Sequence, residues 1–181
     1  MYNDLVLRGG RMHHELFTSG DNPDREEYGI NGYSASYEFG KNIKRTNGYY
    51  LEPQAQFVLG KLSGANYYTR RNSNFAVDSG WSAVGRLGLV LGRKLDQHND
   101  YYFKANLYHG FAGSRDISFM ASANNEHGYK EANFGGTWYE LGLGTNVKLS
   151  RKTDFYGDVT KSFGEDIRKD WQFNVGMRFA F

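Results

Sequence analysis

Glu38, Glu52, Arg86, Lys104, Glu140 and Asp158 are the charged residues whose placement invites chemistry. Each stands in a segment where the alternate positions are apolar, so all six project from the polar side of an alternating pattern. Charges gathered on one face of a sheet can hydrate a channel or hold a chain segment laid against them. If sequestered from water, they are expected to persist only in pairs. The five histidines are the other reactive groups. His13-His14-Glu15 ends a first segment, His98 sits in a short turn, His109 near a segment end and His127 in a long polar stretch. No two have helical metal-ligand spacing and there is no cysteine, so no metal site is expected. His109 with Ser114 or Ser118 comes nearest to a base and nucleophile, but that chemistry also needs an orienting group within hydrogen-bond reach. No catalytic residue and no cofactor is assigned.

The elements that must carry these charges are β-strands. Eight segments alternate with period two, near 2–12, 29–41, 48–60, 81–94, 100–111, 137–149, 153–163 and 171–181, separated by Gly, Asn, Asp and Ser clusters. One face is oily: Tyr33, Ala35, Tyr37 and Phe39, then Leu51, Phe57 and Leu59, then Leu87, Leu89 and Leu91. The opposite face holds Ser34, Ser36 and Glu38, then Glu52, Gln54 and Gln56, then Arg86 and Gly88. The last segment is the most regular, with Phe173, Val175, Met177, Phe179 and Phe181 separated by small or polar residues. In water, a terminal strand of this kind exposes an unpaired hydrophobic edge. In a transmembrane barrel it closes the wall with its apolar side toward lipid. Alternation alone does not tell inside from outside, and a soluble lipocalin-like carrier with an apolar interior has the same period.

A net charge of +2 argues for no nucleic acid or other polyanion as partner. Mean hydropathy is −0.69 and no run of about 18 apolar residues exists, which excludes a transmembrane helix and leaves a barrel open. The start, Met1 to Val6, lacks the basic and apolar regions of a signal peptide.

Connection lengths favour the membrane. Residues 42–47, 95–99 and 150–152 are short, whereas 13–28, 61–80 and 112–136 are long and polar, matching periplasmic turns and external loops; only 164–170 is short on the long-loop side. Those long stretches are expected to be solvated loops over the barrel mouth. Tyr49-Tyr50, Tyr101-Tyr102-Phe103, Trp138-Tyr139 and Trp171 bracket the apolar runs as interfacial belts would. Pro53 interrupts the third segment and predicts a bulge or distorted pairing.

Gly48-Tyr49-Tyr50-Leu51-Glu52-Pro53-Gln54-Ala55-Gln56, Gly85-Arg86-Leu87-Gly88, Thr137 to Gly144, Gly157 to Gly164 and the terminal Phe together resemble the C-terminal translocator of autotransporters, the type V secretion proteins. The resemblance runs from about Tyr2 to Phe181. It implies an all-β, antiparallel up-and-down barrel of twelve strands in the outer membrane of a Gram-negative bacterium, of which residues 1–181 supply about eight, the C-terminal portion. It further implies that the chain anchors and helps export a passenger segment lying upstream, that Phe173, Val175, Met177, Phe179 and Phe181 are read by the barrel-assembly machinery, and that Glu38, Glu52, Arg86, Lys104, Glu140 and Asp158 line the lumen. Outer-membrane lipid is then the other partner. The competing expectation is a stand-alone small barrel acting as an adhesin or surface binder.

Overall fold

Every alternating segment is a β-strand, as its side-chain period requires. The computed structural model describes residues 1–18, 24–68, 73–121, 126–133, 135–164 and 171–180, with backbone alone at 16–18, 24, 119, 121, 126, 132 and 133. In chain order the strands are β1 (Tyr2–Thr18), β2 (Asp24–Gly40), β3 (Ile43–Lys44), β4 (Tyr49–Leu62), β5 (Ala65–Tyr68), β6 (Asn74–Val77), β7 (Gly80–Lys94), β8 (Asp100–Ala112), β9 (Ser114–Ala121), β10 (Glu126–Asn133), β11 (Gly136–Lys148), β12 (Thr153–Gly164) and β13 (Gln172–Phe179).

Eight of them form one antiparallel path, β1-β2-β4-β7-β8-β11-β12-β13, with the two-residue β3 added beside β4. Neighbours along the path are also successive crossings of the chain, the meander expected of an up-and-down barrel wall. The sheet is open: β1 and β13 each keep one side without a strand partner among the described residues.

Burial settles which face is which. The outward face keeps Leu5, Tyr37, Phe57, Leu87, Leu143 and Phe173 in the open, with Leu87 63 % and Phe173 72 % exposed. A continuous oily surface of that kind is far larger than a water-soluble monomer tolerates, and it suits hydrocarbon. The buried polar residues, Asn106, Thr160 and Ser162, all belong to the other face. A soluble carrier would show the reverse.

The aromatic doublets divide between the faces. Tyr49, Tyr101 and Tyr139 point outward and are exposed. Their sequence neighbours cannot follow, because successive side chains in a strand alternate. Tyr50, Tyr102 and Trp138 therefore face inward and do not belong to a belt, contrary to the expectation drawn from the doublets. Trp138 stacks instead on Tyr108 of the paired strand at 5.0 Å. Two outward lysines complete the external belt, Lys61 over Trp81 and Lys161 over Trp171, each 4.9 Å from the ring.

Four inward tyrosines repeat one contact. Tyr2, Tyr50, Tyr102 and Tyr156 lie directly across from Gly40, Gly92, Gly144 and Gly176, and in each case the ring covers the glycine so closely that a Cβ would collide with it. Gly144→Val is expected to destabilise the barrel by about 1–3 kcal/mol through overpacking against Tyr102. A urea titration of the folded protein in lipid vesicles measures this, and Tyr102→Ala placed on top of Gly144→Val should recover part of the loss.

Pro53 causes no bulge. It pairs in register with Leu89, and its carbonyl accepts from the Lys41 amide at 3.2 Å. The N and C=O of one strand residue point the same way, so the missing donor faces the gap where β2 has ended at Gly40 and β3 has not begun. The irregularity lies elsewhere, between Ala83 and Val84 in the pairing of β7 with β8. Nearby, Asn47 and Gly48 make the turn into β4 with φ of 59° and 79°, a left-handed conformation that Asn-Gly adopts readily.

The long connections are not bare loops. β1 and β2 run on past the wall as a ribbon paired from Tyr2↔Gly40 to Thr18↔Asp24. Within 61–80 and 112–136, β5 pairs with β6 and β9 with β10, and these join as a second sheet, β10-β9-β6-β5. An aromatic stack ties the two sheets together: His14 on Tyr28 at 5.0 Å, Tyr28 on Tyr67 at 4.7 Å, Tyr67 on Phe75 at 5.1 Å. Arg115 adds bonds to the Asp78 and Ser63 carbonyls at 2.9 and 2.7 Å. Within β10, Tyr129 donates to Asp116, and this bond, with that carboxylate's charge, pushes its pKa up to about 12.

Candidate functional site: the charged lumen wall

The inward face of the main sheet collects polar residues from six strands into one chain of contacts. Arg86 of β7 donates to Glu38 of β2 at 2.7 Å, reaching across β4. Tyr2 of β1 also donates to Glu38, at 2.8 Å, and lies 3.4 Å from Glu52. Glu52 is held further by Gln54 and by Asn42, both at 2.8 Å. On the other side of Arg86, Asn106 of β8 lies 3.4 Å away and passes the chain to Glu140 of β11 at 3.1 Å. Of the three carboxylates in this chain of contacts, only Glu38 pairs with the guanidinium.

A second cluster lies toward β13. Lys104 of β8 donates to Asp158 of β12 at 2.7 Å, crossing β11 in between. It can cross because the β11 residue beneath it is Gly142, where a Cβ would stand 2.6 Å from the lysine Cε. Thr160 and Asn174 also reach Asp158, both at 3.3 Å. The side chains of both ion pairs are mostly covered: Arg86 and Glu38 are 15 % and 18 % exposed, Lys104 and Asp158 21 % and 14 %. All six charged residues expected on one face are therefore on it, with four joined as two ion pairs and Glu52 and Glu140 held by neutral donors. The sequence did not show the partners Tyr2, Asn106 and Asn174. Each lies 16 to 36 residues away from the group it bonds, and only the strand register brings them together.

Of the terminal alternation, Phe173, Val175, Met177 and Phe179 line the exposed outward face of β13. Phe181 lies outside the described residues. The short connection 164–170 does so too, apart from Gly164, the last residue of β12.

Among the described residues, His109 bonds neither Ser114 nor Ser118. His109 shares a hydrogen bond with Thr137 at 2.8 Å and meets Phe111 edge-on at 4.7 Å. His13 lies 3.2 Å from Glu27, a partner 14 residues away that strand pairing supplies, and with Glu15 these three could in principle approach an ion. All three are exposed, and Arg25 already bonds both carboxylates at 2.9 and 3.2 Å. Such surface pairs contribute little. In the short turn, the Asp96 carboxylate accepts from the His98 and Asn99 amides at 2.7 and 2.8 Å, which holds its pKa below the usual carboxylate range.

Comparison with known proteins agrees with this geometry. A family model described as the autotransporter beta-domain matches residues 1–160. The pertactin autotransporter of Bordetella bronchiseptica is 27 % identical over 99 % of this chain, and the BrkA autotransporter of Bordetella pertussis 28 % over 99 %. The chain spans only 20 % and 18 % of the length of those two relatives. The crystal structure of the beta domain of the Bordetella autotransporter BrkA superposes on 99 % of this chain with a TM-score of 0.68 and 27 % identity, and the overlap covers 66 % of that domain. The open sheet, oily outside and charged within, thus overlays part of that beta domain, and the chain belongs to the autotransporter beta-domain family.

Proposed function

We propose that residues 1–181 form the C-terminal portion of a translocator barrel that anchors an N-terminal passenger in the outer membrane and assists its export to the cell surface. The observation that carries this reading is the division of faces: outward leucines and aromatics suited to acyl chains, inward carboxylates and cations suited to a hydrated passage. Such work requires a closed ring of backbone hydrogen bonds and a polar wall, and no catalytic group. Glu38, Glu52, Arg86, Lys104, Glu140 and Asp158 form that wall. Because Glu52 and Glu140 are held by neutral donors and pair with no cation among the described residues, the wall favours an occupant that brings basic groups. The edge of β13, with Phe173, Val175, Met177 and Phe179 on its oily side and Phe181 next in the same alternation of the sequence, is the strand the assembly machinery captures by pairing, since alternate side chains on an exposed edge give specificity.

The test uses bacteria expressing the complete reading frame. Protease added to intact cells is expected to remove the segment encoded upstream while residues 1–181 remain protected in the membrane. An inserted barrel with its upstream segment retained inside the cell overturns the reading.

A further inference from the structure

The outward face carries a cavity that export does not use. Between β4, β7, β8 and β11, beside the short turns, Leu51, Leu91, Phe103 and Leu143 wall a groove of about 620 Å³. That volume lies within the range of roughly 300–1,000 Å³ typical of small-molecule sites. A groove that merely met bulk acyl chains would be apolar from end to end. This one ends in two cations, because Arg45 and Arg93 line it as well.

Neither guanidinium has a carboxylate partner among the described residues. Arg93 lies 5.1 Å from the Tyr49 ring and bonds Tyr101, which fixes its plane at the groove, yet its Nε is buried with no acceptor. Arginine offers five N–H donors in a rigid fork that matches phosphate oxygens. The site also lies at the short-turn end of the wall, where the periplasmic leaflet places its headgroups, and in the middle of the sheet, away from the open edges of β1 and β13.

We propose that this groove binds one phospholipid of the periplasmic leaflet, with an acyl chain between Leu51, Leu91, Phe103 and Leu143 and the headgroup phosphate on Arg45 and Arg93. It is a specific site, distinct from the lipid that surrounds any barrel, and both halves of the ligand are required.

The experiment takes the protein expressed from its complete reading frame, stripped of lipid in neutral detergent and checked for folding by heat-modifiable electrophoretic migration. One equivalent of phosphatidylglycerol is added and retention counted by native mass spectrometry. One bound lipid per chain is expected. Diacylglycerol, which lacks the phosphate, should not be retained, and millimolar inorganic phosphate should not displace the phospholipid. Arg45→Gln with Arg93→Gln should lower retention about tenfold, equivalent to about 1.4 kcal/mol. Arg45→Gln alone, at a guanidinium with no protein partner among the described residues, should leave migration unchanged and still weaken retention. Equal retention of diacylglycerol, displacement by free phosphate, or unchanged binding in folded variants each overturns the proposal. Because export is not measured, failure here leaves the translocator reading standing.

Discussion

Arg86→Gln is expected to cost about 3 kcal/mol of folding stability, the low end of the range for removing one partner of a buried ion pair. The low end applies because Arg86 and Glu38 retain 15 % and 18 % of their exposure, so some water screens them. Losing the guanidinium strands Glu38 beside Glu52, with Tyr2 as their nearest donor, and removes the only cation between Glu38 and Glu140 among the described residues. Urea midpoints in lipid vesicles, read by heat-modifiable migration, give the number. Adding Glu38→Gln should recover most of the loss, because the remaining amides can hydrogen-bond without charge, and a double-mutant cycle isolates the pair. If Arg86→Gln stays within about 0.5 kcal/mol of the parent, the ion pair is not holding the wall.

Leu89→Lys should be comparably damaging for the opposite reason. Leu89 lies outward in the middle of β7, in register with Ala105 and Pro53 of the neighbouring strands. A lysine on the lipid face at mid-depth costs about 2–4 kcal/mol. The matched control is Gln54→Lys, on the inward face, where water and Glu52 are at hand and the change should cost under about 1 kcal/mol. Loss of folding by heat-modifiable migration in Leu89→Lys alone is the expected pattern. Equal tolerance at the two positions would contradict the orientation of the sheet.

Period-two alternation was enough to locate the wall strands, because each strand must satisfy two solvents at once and its sequence records both. The eight segments anticipated between 2–12 and 171–181 all appear as strands of the main sheet. Contacts between distant strands left no such record. Lys104 meets Asp158 54 residues away, and His13 meets Glu27 only because β1 and β2 extend beyond the wall. The strands of the second sheet leave little trace in the sequence, since β5 and β6 have only four residues each, too few for a period of two to stand out. Their order comes from the ring stack of His14, Tyr28, Tyr67 and Phe75, which forms only when the second sheet docks. Pro53 looked disruptive for a related reason, as its harmlessness depends on where β2 happens to stop.

The tyrosine contacts reveal a subdivision of the wall. β1 with β2, β4 with β7, β8 with β11, and β12 with β13 are each joined at the external side by the chain itself, and each pair has its ring laid over a glycine at the far, unconnected ends. The pairs joined by short turns need no such fastening, since the turn already holds those ends. Fraying of a two-stranded unit begins where its legs are free, and that is where the tyrosine sits. Each long hairpin is consequently sealed at both extremities, and can keep its own alignment before its neighbours arrive.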